Sequence, residues 1–319
     1  MNDLFLLSRE VTVAAKRLER LVHRTPVVTS SYFDHISKSH CYFKCENLQK
    51  VGAFKFRGAC NALFAASDKE IENGVIAHSS GNHAQALALA AQLRGIRAHI
   101  VMPENSPKVK YAAVRDYGAS VTQCAANLAA RESTQAEIIA ETGATVIHPY
   151  DNNRIICGQG TAAFELLADH PELDCIIAPV GGGGLLAGTA LAAFSHSKKV
   201  KVFGAEPINA DDAARSLSAG KIIPSDNPNT IADGLLTSLG QRNFAIIQEL
   251  VEGILTVSEQ AIIDTMKVFW ERTKLIIEPS AATAVAVLLN YPDHFKNKKV
   301  GIIISGGNVD LEKLPWQQN

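Results

Sequence analysis

The run Gly52-Ala53-Phe54-Lys55-Phe56-Arg57-Gly58-Ala59 sets a lysine between two phenylalanines, with glycine and alanine around them. An amine partly withdrawn from water loses its proton more readily and can then condense with a carbonyl compound. The small neighbours leave room for a flat ring against the backbone. Taken alone, Lys55 reads as an ordinary solvated lysine on a helix surface, because lysines are mostly exposed. Three distant segments bear on that choice.

Ser79-Ser80-Gly81-Asn82-His83 follows the strand-like Val75-Ile76-Ala77 and leads into an apolar helix. Serine and asparagine side chains, with the free amides of a helix N-terminus, form a receptor for a carboxylate or phosphate. Plain capping by Ser80 or Asn82 would use the same atoms, and His83 could open the helix without chemistry. Gly181-Gly182-Gly183-Gly184 follows Ala178-Pro179-Val180 and opens a second apolar helix. Four glycines in series lose much backbone entropy on ordering, which favours close approach of several N–H groups to an anion, most plausibly phosphate. Finally, Ile302-Ile303-Ile304 runs into Ser305-Gly306-Gly307-Asn308, so Ser305 ends a buried strand. It could simply begin a turn. Opposite a pyridine nitrogen, its neutral hydroxyl would leave that nitrogen largely unprotonated, a weaker electron sink that favours β-elimination over transamination. Amine, phosphate receptor and neutral hydroxyl together suit pyridoxal phosphate.

A rival reading is a nicotinamide-dependent dehydrogenase. Gly182-x-Gly184-x-x-Ala187 satisfies the dinucleotide fingerprint, and Glu206 follows the next strand about 20 residues on, where a ribose ligand sits. That reading leaves Lys55, the Ser80 loop and Ser305 without work.

The elements that must position these residues form an α/β pattern of short β-branched runs alternating with segments of helical period. The clearest strands are Val75-Ile76-Ala77, Ala98-His99-Ile100-Val101-Met102, Ser120-Val121-Thr122, Ala144-Thr145-Val146-Ile147, Cys175-Ile176-Ile177-Ala178, Lys199-Val200-Lys201-Val202-Phe203 and Val300-Gly301-Ile302-Ile303-Ile304. Four of them with three helices fall between Asn73 and Ile147, which reads as a small inserted domain, residues 71–148. Residues 1–70 and 149–319 then form one large domain, with a ligand cleft between the two.

The 319 residues are 47% hydrophobic and carry a net charge of -1, which suits a soluble chain of two lobes and disfavours nucleic acid or an anionic membrane as partner. No stretch approaches the roughly 18 apolar residues of a membrane span, so a cytoplasmic location and a small-molecule substrate are expected. The six cysteines show no CxxC pair, which reads as reduced thiols without a disulfide framework or zinc site.

In order and spacing, Glu46-Asn47-Leu48-Gln49-Lys50, Phe54 to Ala59, Ser79 to His83, Gly181 to Gly184, Ala232-Asp233-Gly234, Glu278-Pro279-Ser280 and Ser305 to Asn308 resemble one family over nearly the whole chain. It is the serine racemase and threonine/serine dehydratase family, pyridoxal phosphate enzymes of fold type II, similar to the tryptophan synthase β chain. The resemblance implies two lobes, each with a mostly parallel sheet flanked by helices. Lys55 would hold the cofactor as an imine and take the substrate α-proton, with Ser80 facing it from the other side. Gly181, Gly182, Gly183 and Gly184 would bind the cofactor phosphate, Asn82 the ring hydroxyl and Ser305 the ring nitrogen, with Phe54 and Gly234 flanking the ring. Ser79, Ser80, Asn82 and His83 would hold the substrate. The implied reaction turns L-serine, L-threonine or 3-hydroxyaspartate into a keto acid and ammonia, and reprotonation by Ser80 would give the D-amino acid. A second substrate carboxylate needs a cationic partner, for which Arg131 and Arg154 are the guesses. A homodimer with ATP or AMP as effector is also implied. One departure is Ala53, where the family commonly has serine, so any contact of that hydroxyl with cofactor or phosphate is missing or replaced.

Residues 204–212 offer two carboxylates six residues apart, after a strand. Oxygen donors suit magnesium or calcium, while a solvated acidic turn capping the helix from Ala213 is the plainer alternative. In the racemase branch that this chain resembles, Glu206, the Ala210 carbonyl and Asp212 would be the ligands of a structural Mg2+, Ca2+ or Mn2+.

Overall fold

The computed structural model describes every residue except Met1, Ser80, Pro107, Lys198, Gln318 and Asn319. Its strands are β1 (Val27–Val28), β2 (His40–Cys45), β3 (Val75–His78), β4 (Ala98–Pro103), β5 (Ser120–Cys124), β6 (Thr145–Val146), β7 (Cys175–Pro179), β8 (Lys201–Pro207), β9 (Gly253–Val257) and β10 (Lys299–Ile304). They form a six-stranded sheet, β1-β2-β10-β7-β8-β9, and a four-stranded sheet, β5-β4-β3-β6. Among these described strands, β1 against β2 is the antiparallel pair and the rest are parallel. Parallel neighbours require crossovers, and helices supply them. Asn82–Arg94, Lys108–Asp116 and Leu128–Thr142 link the strands of the smaller sheet, and Gly184–His196 links β7 to β8.

The apolar run of β10 is buried throughout Val300–Ile304 because β2 and β7 flank it and helices cover both faces. Its neighbour β2 was not among the strands read from sequence, because Lys44 interrupts its hydrophobic run. The structure buries that lysine completely and pairs it with Glu165 at 2.6 Å. β8 begins two residues later than expected and continues to Pro207, since β9 pairs with it through Glu206↔Thr256 and Pro207↔Val257. Glu206 therefore sits inside the carboxyl end of a strand.

Three helices lie backbone to backbone and fix the distance between the lysine and the glycine loop. Asn153–Asp169 is sandwiched between Lys55–Ala65 on one side and Gly184–His196 on the other. A Cβ at Gly158 would come within 2.7 Å of the Gly58 Cα, and one at Gly188 within 2.4 Å of the Ile156 carbonyl oxygen. Glycine is thus imposed by close approach, and the three helices have one register. Among the described residues, no helix is long and apolar enough to cross a membrane.

Candidate active site

Lys55 is the first residue of its helix, reached through a turn that contains Val51 at φ 58° and Gly52 at φ 67°. That turn is stitched to the end of β10. The Phe54 N–H donates to the Ser305 carbonyl at 2.9 Å, Gly307 N–H donates to the Gly52 carbonyl at 3.0 Å, and Ala53 bridges Gly306. Lys55 and the buried Ser305 are therefore held by one knot of backbone. The Lys55 ammonium donates to the Pro149 carbonyl at 3.0 Å and lies 5.2 Å from the Phe54 ring centroid. Burial pushes it down to about 8, against the pull of the Glu278 carboxylate. The positive end of its own helix acts in the same direction as burial.

Pro149 belongs to a strap, residues 148–151, that runs from the lysine to the glycine loop. Tyr150 covers the loop so closely that a Cβ on Gly182 would lie 2.3 Å from its ring. His148 meets the Tyr150 ring edge to face at 4.6 Å, and Asp151 accepts from the Arg242 N–H at 2.9 Å. Gly183 has φ 90°, and a Cβ there would strike Leu239 and Asn243. A Cβ on Gly181 would meet the Gly234 carbonyl at 2.8 Å, and Gly234 N–H donates to Ser280 Oγ at 3.0 Å. The glycines are thus required by tight packing. The loop opens the helix Gly184–His196, whose first N–H groups have no intrahelical acceptor.

Asn82 opens the helix Asn82–Arg94 in the smaller sheet. Its amide donates to both Glu278 oxygens at 3.0 and 3.2 Å, and its own oxygen accepts from Asn308 Nδ2 at 2.9 Å. Asn308 also donates from its backbone to Glu278 at 3.1 Å. Glu278 is 3% exposed, and burial, followed by the Asp233 carboxylate, raises it to about 7. This carboxylic acid was not read from sequence, although it stands in the matching segment Glu278-Pro279-Ser280. Ser79 Oγ accepts from the Gly81 N–H at 3.3 Å and so shapes the loop. Ser80 lies outside the described residues. His83 is buried with Nε2 on the Ile147 carbonyl at 3.1 Å, its Nδ1 has no partner, and burial pushes it down to about 3.

Of the two guessed arginines, Arg154 pairs at the surface with Glu70 at 2.9 Å. Arg131 lies near His78, where its charge, after burial, helps to hold that imidazole low, and its Nε is buried without a partner. A cation that was not anticipated, Lys110, stands at the loop and pairs with Asp233 at 2.8 Å.

Glu206 and Asp212 are fully buried, so the acidic turn is not solvated. Glu206 accepts from the Ala213 and Ala214 N–H groups at 3.0 and 2.8 Å and does cap the helix Asp212–Ala219. Burial raises Glu206 to about 8, with the Asp212 charge adding to it, and burial raises Asp212 to about 6. Asp212 Oδ1 is buried without a partner, and Ala210 precedes it in a short 3-10 turn. Among the described residues no three His, Cys, Asp or Glu side chains cluster. Two buried carboxylates, one of them with an orphaned oxygen, are nevertheless the donor type that fits a hard cation.

A desolvated amine, a glycine loop at a helix start and a buried neutral serine are the groups that a pyridoxal-phosphate site requires. The chain belongs to the pyridoxal-phosphate-dependent enzymes, whose family model, described as "Pyridoxal-phosphate dependent enzyme", matches residues 18–306. Within that family it is 50% identical over 310 residues to a serine racemase of Dictyostelium discoideum, with 96% of each chain covered. It is 45% identical over 307 residues to a beta-hydroxyaspartate dehydratase of Paracoccus denitrificans, covering 96% of this chain and 98% of that one. The crystal structure of the Dictyostelium discoideum serine racemase superposes with a TM-score of 0.92, covering 95% of this chain and 99% of that chain. The dinucleotide reading gains no support. Tyr150 occupies the face of Gly182, and both Glu206 oxygens are engaged by its own helix start.

Proposed function

We propose that this enzyme catalyses α,β-elimination of water from L-serine or another hydroxy amino acid, giving a keto acid and ammonia, and that it also racemises serine. The observation that carries the reading is Lys55: an amine pushed down to about 8, 3.0 Å from Pro149, on a strap that leads directly to the glycine loop. When bound, pyridoxal phosphate supplies the electron sink that makes the substrate Cα–H acidic. Every other task falls to side chains. The N–H groups at Gly181, Gly182, Gly183 and Gly184 hold phosphate, Asn82 orients the ring hydroxyl under the grip of Glu278 and Asn308, and Ser305 meets the ring nitrogen without protonating it. Phe54 and Gly234 would flank the ring when it is bound. Ser79, Ser80, Asn82 and the start of the helix at His83 hold the substrate carboxylate. Lys55 Nζ removes the α-proton from one face, and Ser80 returns a proton to the other when racemisation follows.

The same reading takes residues 71–148 as a small domain inserted between 1–70 and 149–319, Glu206, Ala210 and Asp212 as the ligands of Mg2+ or a similar cation, and a cytoplasmic homodimer responsive to ATP or AMP as the working form. A 3-hydroxyaspartate activity is the second reading, favoured by Lys110 beside the substrate loop.

The test is a visible spectrum of the purified holoenzyme, followed by keto acid and D-amino acid assays on serine, threonine and 3-hydroxyaspartate. Lys55→Ala is expected to lose the absorbance of the imine and at least about 1000-fold in turnover, as removal of a covalent catalyst does. Ser80→Ala is expected to suppress racemisation more than elimination. A colourless wild-type protein indifferent to borohydride would sink the reading.

A further inference from the structure

Lys110 lies on the helix Lys108–Asp116 of the smaller sheet, yet its ammonium reaches across to the larger one, 2.8 Å from Asp233. The two partners are unequally placed. The Lys110 side chain is 15% exposed, whereas that of Asp233 is 56% exposed. Lys110 Nζ is also the atom closest to where a Cβ on Gly81 would lie, 4.0 Å away. Its charge is felt by Glu278, the acid that grips Asn82. Asp233 immediately precedes Gly234, which rests on Ser280 and on Gly181 of the glycine loop. The ammonium therefore sits at the rim of the site, between the Ser79 to His83 loop and the Gly234 turn.

A cation that is mostly desolvated needs an anionic partner, while an exposed aspartate returns to water at little cost. We infer that Lys110 is the specificity residue for substrates with a second carboxylate: a dicarboxylic hydroxy amino acid displaces Asp233 and takes its place on the Lys110 ammonium, while a monocarboxylic one leaves the ion pair intact. This rests on the proposed reading of the site and deepens it. Arg154 is spent on Glu70 at the surface.

The experiment compares wild type, Lys110→Gln, Asp233→Asn and Arg131→Gln holoenzymes on 3-hydroxyaspartate and L-serine. It also measures binding of succinate and propionate by calorimetry as dicarboxylate and monocarboxylate probes. Loss of one charge-assisted contact predicts that Lys110→Gln lowers the 3-hydroxyaspartate to serine ratio of kcat/KM by about 10- to 100-fold and removes the preference for succinate over propionate. Asp233→Asn frees the ammonium and should raise both the ratio and that preference severalfold. If Lys110→Gln depresses both substrates equally and leaves succinate binding unchanged, the pair is only a clasp between the lobes and the inference is overturned. A shift confined to Arg131→Gln overturns it as well. Should wild type turn over neither hydroxy amino acid, the functional reading fails, and the succinate preference still decides the role of Lys110.

Discussion

Two clusters of buried charge sit in this molecule and differ in one respect. Behind the Lys55 helix, Arg57 donates to both oxygens of Glu46 at 2.7 and 2.8 Å and to both of Glu165 at 2.8 and 2.9 Å. Lys44 adds bonds to Glu165 at 2.6 Å and to the Thr25 carbonyl at 2.7 Å. Two cations face two anions, every carboxylate oxygen has a donor, and Arg57 and Lys44 pull Glu165 below the ordinary carboxylate range despite its burial. Around Glu206 and Asp212 no cation among the described residues enters the interior. Arg215 is engaged outside with Asp211, both carboxyls are raised, and one oxygen is orphaned. A closed set of charges holds a fold, whereas an open one marks a place where something else must bind. Lys55, pushed down, and Glu278, pushed up, have the open signature too.

The sharpest way to break this contrast is to open the closed cluster. Arg57→Met keeps the bulk but leaves Glu46 and Glu165 sharing Lys44 alone. Removing one partner from a buried ion-pair set costs about 3–5 kcal/mol, so the urea midpoint should fall steeply or the protein should fail to accumulate. A cost below about 1 kcal/mol in urea denaturation would show that the cluster does not hold the Lys55 helix in place.

The two clusters were unequally legible in the sequence. Period and β-branching revealed β10, β7, β3 and β4 because parallel strands buried on both faces read as plain apolar runs, whereas the more exposed edge strands β5 and β6 were read from β-branching. β2 stayed hidden because Lys44 looks like a surface residue until Glu165, 121 positions away, neutralises it. The same blindness covers Glu278, Asn308 and Tyr150. Their roles depend on contacts between distant loops, and no local spacing reports them. Lys55, the glycines and Ser305 could be singled out from sequence because each stands at a strand end or helix start. The acidic turn was read as two carboxylates near a carbonyl, but its burial follows from the extension of β8 to Pro207, which a pattern of polar residues conceals.

A second, smaller effect follows from the open cluster. Glu206 rises from an ordinary 4.5 to about 8 and Asp212 from 3.8 to about 6. A group raised in the folded state contributes stability that is full below its unfolded value and is lost as pH climbs through the folded one. Chelated protein should therefore lose stability between about pH 4 and pH 8. Added Mg2+ should restore it most at pH 8, by about 2–6 °C in Tm, and hardly at all at pH 5. Glu278 also weakens the chelated protein in part of this window, so the difference with and without the cation is the quantity to measure. A shift equal at both pH values would detach the cation from these carboxylates.

The smallest expected effect discriminates best between the clusters. In chelated protein at pH 7, Glu206 is mostly protonated, so Glu206→Gln exchanges one neutral group for another of the same shape. Its oxygen can still accept from one of the two helix N–H groups while the amide NH2 leaves the other without an acceptor, so the cost should be about 1–3 kcal/mol. The variant should nevertheless lose the Mg2+ response, because an amide cannot supply the charge that a hard cation requires. The pairing of a smaller stability change with an abolished cation shift is unavailable to Arg57→Met, where stability itself is what the charges provide. Should Glu206→Gln destabilise chelated protein by as much as Arg57→Met, the acidic turn would be a structural cap, and its raised carboxyls would reflect burial alone.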